Sequence, residues 1–274
     1  MKRFKLAGTI PALALAVSAG AASAAPLYDV TDADVTPDVI FGSGNTNGGF
    51  SISRSAGIEI GLRGKLRFDE NNDPQNTFNS NGDGSYTFAA GAAPGGFGFQ
   101  PNSPTTPVWN FEWSVNTDYD GSTNKNLDDF LYFMSLDVDP SSGFSFQGGS
   151  FDPINTTFAD HAIGDNSTGN GAGAVATDST EYANLIANNN VAQNSWSYEF
   201  FNTDSNDPTG GFDPNVPGEY RILLAAVDKD DASINATTSI DINVTSVPLP
   251  ATLPLLLVGL GGLGLVARRR RKAA

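Results

Sequence analysis

The chain of 274 residues contains no cysteine and a single histidine, His161. The lack of cysteine excludes disulfide bonds and thiolate metal or redox chemistry. A zinc centre built on several histidines is excluded as well, because the chain has one imidazole to offer. We therefore expect a folded domain that is held together by its packed core alone.

Basic residues are scarce in the middle of the chain. Residues 25–246 contain all thirty acidic residues and seven basic ones, which gives this part a net charge of −23. A surface of this charge repels nucleic acid and anionic membranes. We therefore expect no nucleic-acid partner, and the charge suits a protein that is soluble in salt water or in a matrix with divalent cations.

Residues 1–24 show the pattern of a secretory signal peptide. Three of the first five residues are basic, and an apolar segment follows at 6–17. Ala22 and Ala24 supply the small side chains that signal peptidase requires at the third and first positions before the cut. We expect a signal helix, export, and cleavage after Ala24.

The segment 247–274 combines a short motif, an apolar segment and a basic cluster. The motif consists of Val247, Pro248, Leu249, Pro250 and Ala251. The basic cluster consists of Arg268, Arg269, Arg270, Arg271 and Lys272. No charged residue occurs from 249 to 266, and a helix of this length spans about 27 Å, enough to cross a bilayer core. The basic cluster is expected to stay cytoplasmic, with residues 25–246 on the opposite side of the membrane.

This order of features resembles the PEP-CTERM class of bacterial sorting signals, in its VPLPA variant. The resemblance implies that an exosortase-like membrane protease recognises the motif and removes the helix and tail. It also implies a transient stay in the inner membrane, then a place at the cell surface or outside the cell, with exopolysaccharide as a partner. The alternative from the residues themselves is a permanent single-pass anchor.

Residues 25–246 alternate apolar and polar side chains over short segments, which is typical of β-strands. The clearest case is 108–115, where Trp109, Phe111, Trp113 and Val115 share one face. Other strands are predicted at 49–53, 57–65, 86–89, 130–138, 196–200, 220–226 and 234–244. The loop 228–233 is predicted to join the last two as an antiparallel hairpin.

Helix patterns are limited to 180–188, with Ser179 or Thr180 as the cap. We therefore predict an all-β chain whose single domain, 25–246, is an antiparallel β-sandwich of jelly-roll-like or immunoglobulin-like type. The N-terminal signal helix and the C-terminal transmembrane helix flank this domain.

One acidic loop has the spacing of a calcium site. Its candidate ligands are Asn116, Asp118, Asp120, Asn124 and Asp128. Oxygen ligands at alternate positions followed by a glycine are typical of the start of a calcium loop. Leu127 stands where an EF-hand has its bidentate glutamate, so a plain Asx-turn connection remains the alternative. No cofactor is certain, and calcium is a candidate.

Catalytic patterns are weak. His161 follows Asp160, but no G-x-S-x-G sequence accompanies them. Four of the six glutamates are candidate carboxylates for glycoside hydrolysis: Glu59, Glu112, Glu181 and Glu199. We expect a structural or interaction role without enzymatic activity. The alternatives are a calcium-assisted carbohydrate-binding module and a secreted hydrolase.

Overall fold

The computed structural model describes residues 27–30, 37–41, 49–97, 100–101, 104–143, 149–201 and 212–246. The predicted signal segment 1–24 and sorting segment 247–274, with their two predicted helices, lie outside these residues. Within the described ranges no helix combines the length and the apolar character that crossing a membrane requires. The described structure therefore falls within the predicted domain 25–246.

Seven strands form the first sheet. They are β1 (Leu27–Val30), β2 (Phe50–Ser55), β3 (Ile58–Phe68), β4 (Pro74–Thr77), β8 (Trp109–Asn116), β11 (Ala162–Gly164) and β12 (Val191–Trp196). Their order is β1-β2-β3-β8-β12-β11, and β4 pairs with the last residues of β3. Every pair in this sheet is antiparallel. The long strands β3 and β8 therefore lie at its centre.

Five strands form the second sheet. They are β5 (Ser85–Ala89), β9 (Phe130–Leu136), β10 (Ser150–Phe151), β13 (Gly218–Asp228) and β14 (Ile234–Thr245), in the order β10-β9-β13-β14-β5. The predicted hairpin is confirmed, because β13 and β14 pair antiparallel across the 228–233 loop. A separate two-stranded ladder joins β6 (Gly96–Phe97) to β7 (Gln100–Pro101).

The prediction of a wholly antiparallel sandwich is wrong at one pair. β5 and β14 run parallel, with Tyr86 opposite Ile242 and Phe88 opposite Val244. The alternation of Tyr86 and Phe88 fixes which face of the strand is buried, but it carries no information about strand direction. The all-β class itself is confirmed.

The two sheets pack face to face over one apolar core. Alternate residues of β3 and β8 point inward, and so do alternate residues of β9, β13 and β14. The Trp109 ring of the first sheet stacks on Phe88 of the second, with ring centroids 5.9 Å apart. The sheets approach closely at Gly64, where an added Cβ would come within 2.8 Å of Ile242 Cδ1. Large aromatic side chains thus fill one part of the core, and glycine permits close contact in another.

The helix α1 (Ser179–Asn188) begins one residue before the predicted segment. Its cap is Asp178, whose carboxylate accepts hydrogen bonds from Thr180 N at 2.8 Å and Glu181 N at 2.9 Å. The predicted caps Ser179 and Thr180 are therefore wrong by one or two positions. An aspartate at this position satisfies two backbone donors that the helix leaves open.

The predicted strand 196–200 is wrong beyond Trp196. Residues Tyr198–Phe201 form a 3₁₀ turn instead, in which Phe200 N donates to Ser197 O at 3.2 Å. The turn buries Tyr198 against Trp109, with ring centroids 5.0 Å apart. Packing against the core therefore overrides the period-two pattern of these aromatics. A second 3₁₀ turn, Leu127–Asp129, precedes β9.

Aspartates shape many of the loops. Among the described residues, eleven aspartates accept a hydrogen bond from the backbone N–H two residues further on: Asp69, Asp83, Asp120, Asp137, Asp139, Asp152, Asp165, Asp178, Asp213, Asp228 and Asp231. This is the Asx-turn contact, which offers the backbone a partner outside helices and strands. A large part of the acidic charge is therefore used to hold turns as well as to keep the surface soluble.

Candidate functional site

The outer face of the first sheet carries a buried group of polar side chains, here termed the charged layer. It comprises Arg63 and Lys65 on β3 and Asn110 and Glu112 on β8. Arg63 lies directly opposite Glu112, and Lys65 directly opposite Asn110. Side chains at these positions alternate with the inward-facing residues of the core. All four residues have exposed fractions of 3% or less.

A short segment, residues 37–41, covers part of this face. The Gln193 side chain fixes it, because its Oε1 accepts from Ile40 N and its Nε2 donates to Asp38 O, both at 2.7 Å. Val39 packs against Phe50 and Ile52, which lie on the outer face of β2. The sheet is thus buried on both faces at this point.

Glu112 binds both cations of the charged layer. Arg63 Nε donates to Glu112 Oε2 at 2.5 Å, and Lys65 Nζ pairs with Glu112 Oε1. The rings of Phe50 and Phe78 lie on the Arg63 guanidinium, with centroids 4.3 and 3.9 Å from its Cζ. Aromatic faces stabilise a cation that has lost its water. The ion pairs therefore sit in an apolar, desolvated setting.

Burial and the ion pairs shift the pKa values of Lys65 and Glu112. It lowers the pKa of Lys65, although the carboxylate of Glu112 opposes the shift. Burial alone would raise the pKa of Glu112, but Arg63 and Lys65 together lower it. Glu112 therefore stays ionised, while the ammonium of Lys65 loses its proton more readily than a lysine in water.

The sequence pattern does not predict the charged layer. The sequence places Arg63 and Lys65 in the predicted strand 57–65 and gives no sign of what covers them. In the structure, Arg63 and Lys65 lie on the face opposite to Ile60 and Leu62, which are in the core. The alternation contains no information about the cover formed by residues 37–41, which are distant in the chain.

The predicted calcium loop is held by its own hydrogen bonds. Asp118 Oδ1 accepts from Thr123 N at 2.7 Å and from Thr123 Oγ1 at 2.9 Å, and Asp120 Oδ1 accepts from Ser122 N at 3.1 Å. Asn116 Oδ1 accepts from Asp118 N at 3.0 Å. These contacts are those of the Asx-turn alternative.

The other two candidate calcium ligands are Asn124 and Asp128. Asn124 has a positive φ of 52°, and the backbone oxygen of Asp128 accepts from Lys229 Nζ at 2.5 Å. Across the described ranges, no three histidine, cysteine, aspartate or glutamate side chains are grouped to hold a metal ion. Calcium binding by this loop stays a prediction.

Two lysines link the acidic loops at this end of the sandwich. Lys125 Nζ donates to Asp228 Oδ2 at 2.5 Å and to Asp230 Oδ2 at 2.8 Å. These hydrogen bonds raise the pKa of Lys125. Lys229 Nζ also donates to Asn155 Oδ1 at 3.0 Å. The chain's own ammonium groups therefore balance part of the acidic charge here.

His161 lies in the core. Its Nε2 donates to Pro153 O at 2.8 Å, and its Nδ1 accepts from Asn194 Nδ2 at 3.0 Å. The Trp113 ring meets the imidazole edge to face at a centroid distance of 4.8 Å. Burial lowers the pKa of His161 to about 4. The ring is therefore neutral at pH 7, and both of its nitrogens are engaged in holding the structure.

The four candidate glutamates each have a structural contact. Glu59 accepts from Arg54 Nε at 2.7 Å, and Glu199 accepts from Thr106 Oγ1 at 2.6 Å. Glu181 accepts from the backbone and hydroxyl of Thr177, at 2.7 and 2.6 Å. Together with Glu112 in the charged layer, these contacts give each of the four candidate glutamates a place in the fold.

Comparison with known proteins identifies the C-terminal segment. Residues 246–271 match the family model of the PEP-CTERM protein-sorting motif. No curated protein matches the chain, and no solved structure does. The match includes the predicted motif 247–251 and the basic residues 268–271. Such a motif implies processing by an exosortase-type membrane protease. The chain is therefore an exported protein that carries a PEP-CTERM sorting motif and passes through the membrane to the cell surface.

Proposed function

We propose that the β domain is a non-enzymatic structural or interaction component of the cell surface or of the exopolysaccharide matrix. In this proposal the signal peptide starts export, and an exosortase-like protease removes the segment after the motif. The protein is held in the inner membrane until that step. The observation that supports it most is the sorting motif at 246–271, because its processing leads to the cell surface.

The described side chains support a non-catalytic role. The single histidine has both ring nitrogens engaged by Pro153 and Asn194. The four candidate glutamates are engaged by arginine, lysine or threonine. A general acid or base, by contrast, must lie within hydrogen-bond reach of the substrate atom with which it exchanges a proton.

The relation to jelly-roll or immunoglobulin sandwiches stays a prediction.

Processing can be tested on the full chain in a bacterium that has an exosortase. Wild type is compared with a variant that carries Pro248→Ala and Pro250→Ala, which removes the two residues that keep the motif out of a helix. We expect the wild type to be released without residues 268–274, and the variant to stay in the membrane fraction with them. Mass spectrometry of each fraction reads the result. Released wild-type protein that still has Arg268 to Ala274 would contradict the proposal.

The role outside the cell needs a second experiment. Released protein is incubated with the exopolysaccharide of the producing strain, with and without EDTA, and then sedimented. We expect co-sedimentation and no increase in reducing sugar ends. An increase that disappears in Glu199→Gln protein would establish hydrolysis and refute the non-enzymatic role. Binding that EDTA abolishes, and that Asp118→Ala also abolishes, would favour the calcium-assisted alternative.

A further inference from the structure

A lysine, an asparagine and a glutamate lie together in the charged layer. Lys65 on β3 and Asn110 on β8 are direct partners in the antiparallel register. Direct partners on one face have Cβ atoms about 5 Å apart. Glu112 lies two residues along β8 on the same face, about 7 Å from Asn110. A lysine amine, with its four-carbon stem, can reach both neighbours from this position.

The three side chains are shielded from water. The exposed fractions are 3% for Lys65, 2% for Asn110 and 0% for Glu112. Lys65 Nζ pairs with Glu112 Oε1, so a proton can pass between them directly. Asn110 Oδ1 is buried and has no hydrogen-bond partner among the described residues. A buried amide oxygen without a hydrogen bond destabilises the folded protein, and a donor group that reached this oxygen would stabilise the site.

Within the described residues, two lysines form ion pairs with acidic side chains. They differ in burial and in the direction of their pKa shifts. Lys125 is about a quarter exposed, and two carboxylates raise its pKa, which keeps its nitrogen protonated. Lys65 is buried, and desolvation lowers its pKa. An amine becomes a nucleophile only after it loses its proton, and desolvation is one way to achieve this. Of the two, Lys65 is therefore the lysine whose amine loses its proton more readily.

We propose that Lys65 and Asn110 join in an intramolecular isopeptide bond, with Glu112 as the proton carrier. The carboxylate of Glu112 takes a proton from Lys65 Nζ, and the resulting carboxylic acid donates a hydrogen bond to Asn110 Oδ1. Lys65 Nζ attacks Asn110 Cγ, so that the Nζ–Cγ bond forms and the Cγ–Nδ2 bond breaks. Two protons, one from Glu112 and one from Lys65 Nζ, pass to the Nδ2 group, which leaves as ammonium, and Glu112 returns to its carboxylate form. No oxidant or cofactor takes part.

The bond has a clear physical role in this chain. It links the two central strands of the first sheet through residues 45 positions apart. A covalent link restricts the unfolded chain, as a disulfide does. A chain without cysteine has no disulfide available, so an amide link would supply the cross-link in an exported domain. This inference goes beyond the sorting role and is independent of it.

Mass spectrometry of the full chain tests the bond. Intact wild-type protein is expected to be lighter than its sequence mass by one ammonia molecule. Trypsin should not cut after Lys65, and it should leave peptide 64–67 joined to peptide 68–125 although the chain is cut after Arg67. Full mass for the wild type, together with cleavage after Lys65, would overturn the proposal.

Matched variants separate this bond from other losses of ammonia. Lys65→Arg keeps a positive charge beside Glu112 and cannot form the bond, and Asn110→Ala removes the electrophile. Both are expected at full mass, while Lys125→Arg should lose ammonia as the wild type does. An ammonia loss that persists in Lys65→Arg protein would arise at another asparagine and would overturn the proposal. These readouts remain valid if a variant unfolds, because the joined peptides of the wild type are scored independently.

Discussion

Acidification from pH 7 to pH 5 should destabilise the domain through His161. The pKa of this residue is lowered to about 4 in the folded protein, against 6.5 for an unperturbed histidine. Between these values the unfolded chain binds the proton and the folded chain does not, so stability falls as the pH falls. The contribution is complete above pH 6.5 and fully lost below about pH 4.

The size of the effect follows from the shift. A difference of roughly 2.5 units corresponds to about 3 kcal/mol in total, of which about 2 kcal/mol is lost between pH 7 and pH 5. The protonated ring would have no acceptor at Nδ1, because Asn194 presents its amide donor there. The nearby carboxylate of Asp160 favours the protonated form, but less than burial opposes it.

Urea unfolding at pH 7 and pH 5, for the wild type and His161→Gln, isolates this contribution. Glutamine can still donate to Pro153 O and does not titrate. Burial raises the pKa of Asp152, which acts in the opposite direction, but that effect is common to both proteins. We expect the wild type to lose about 2 kcal/mol more than the variant over this range. An equal loss in the two proteins would refute the assignment of a buried neutral imidazole.

Three substitutions test other contacts by urea or thermal unfolding. Asp178→Ala removes the cap of α1 and should cost about 1 kcal/mol; an unchanged midpoint would contradict the capping role. Glu112→Gln removes the charge that balances the buried cations, so we expect a loss of about 3 kcal/mol or more. A loss below about 1 kcal/mol would show that the ion pairs contribute little. Gly64→Ala places a Cβ 2.8 Å from Ile242 Cδ1 and should cost about 1–3 kcal/mol by overpacking; a higher melting temperature would disprove that close contact.

Local patterns predict the strands of this domain well. The segment 108–115 alternates large apolar and polar residues, and the structure has β8 there with Trp109 and Trp113 in the core. The 228–233 loop likewise leads from one alternating segment into the next. Both features depend on neighbours in the sequence, which the pattern contains.

Contacts between distant segments are not predictable in this way. The parallel pairing of β5 with β14, the 3₁₀ turn at Tyr198 and the cover over the charged layer depend on where other elements lie. The calcium interpretation shows the same limit. The spacing of Asp118 and Asp120 fits ligands and Asx turns equally well, and only the hydrogen bonds of Thr123 and Ser122 show how these carboxylates are used in the structure.

The end of β14 has a mechanical consequence for processing. This strand lies between β13 and β5, and its last residue, Thr245, still accepts a hydrogen bond from Ala90 N at 2.8 Å. Ala251 lies six residues after Thr245, a reach of about 20 Å at full extension. A protease that recognises 247–251 must therefore act close to the folded sheet, because only one residue lies between the end of β14 and the motif. The chain between the domain and the motif is therefore continuous with a strand that has a partner on each side.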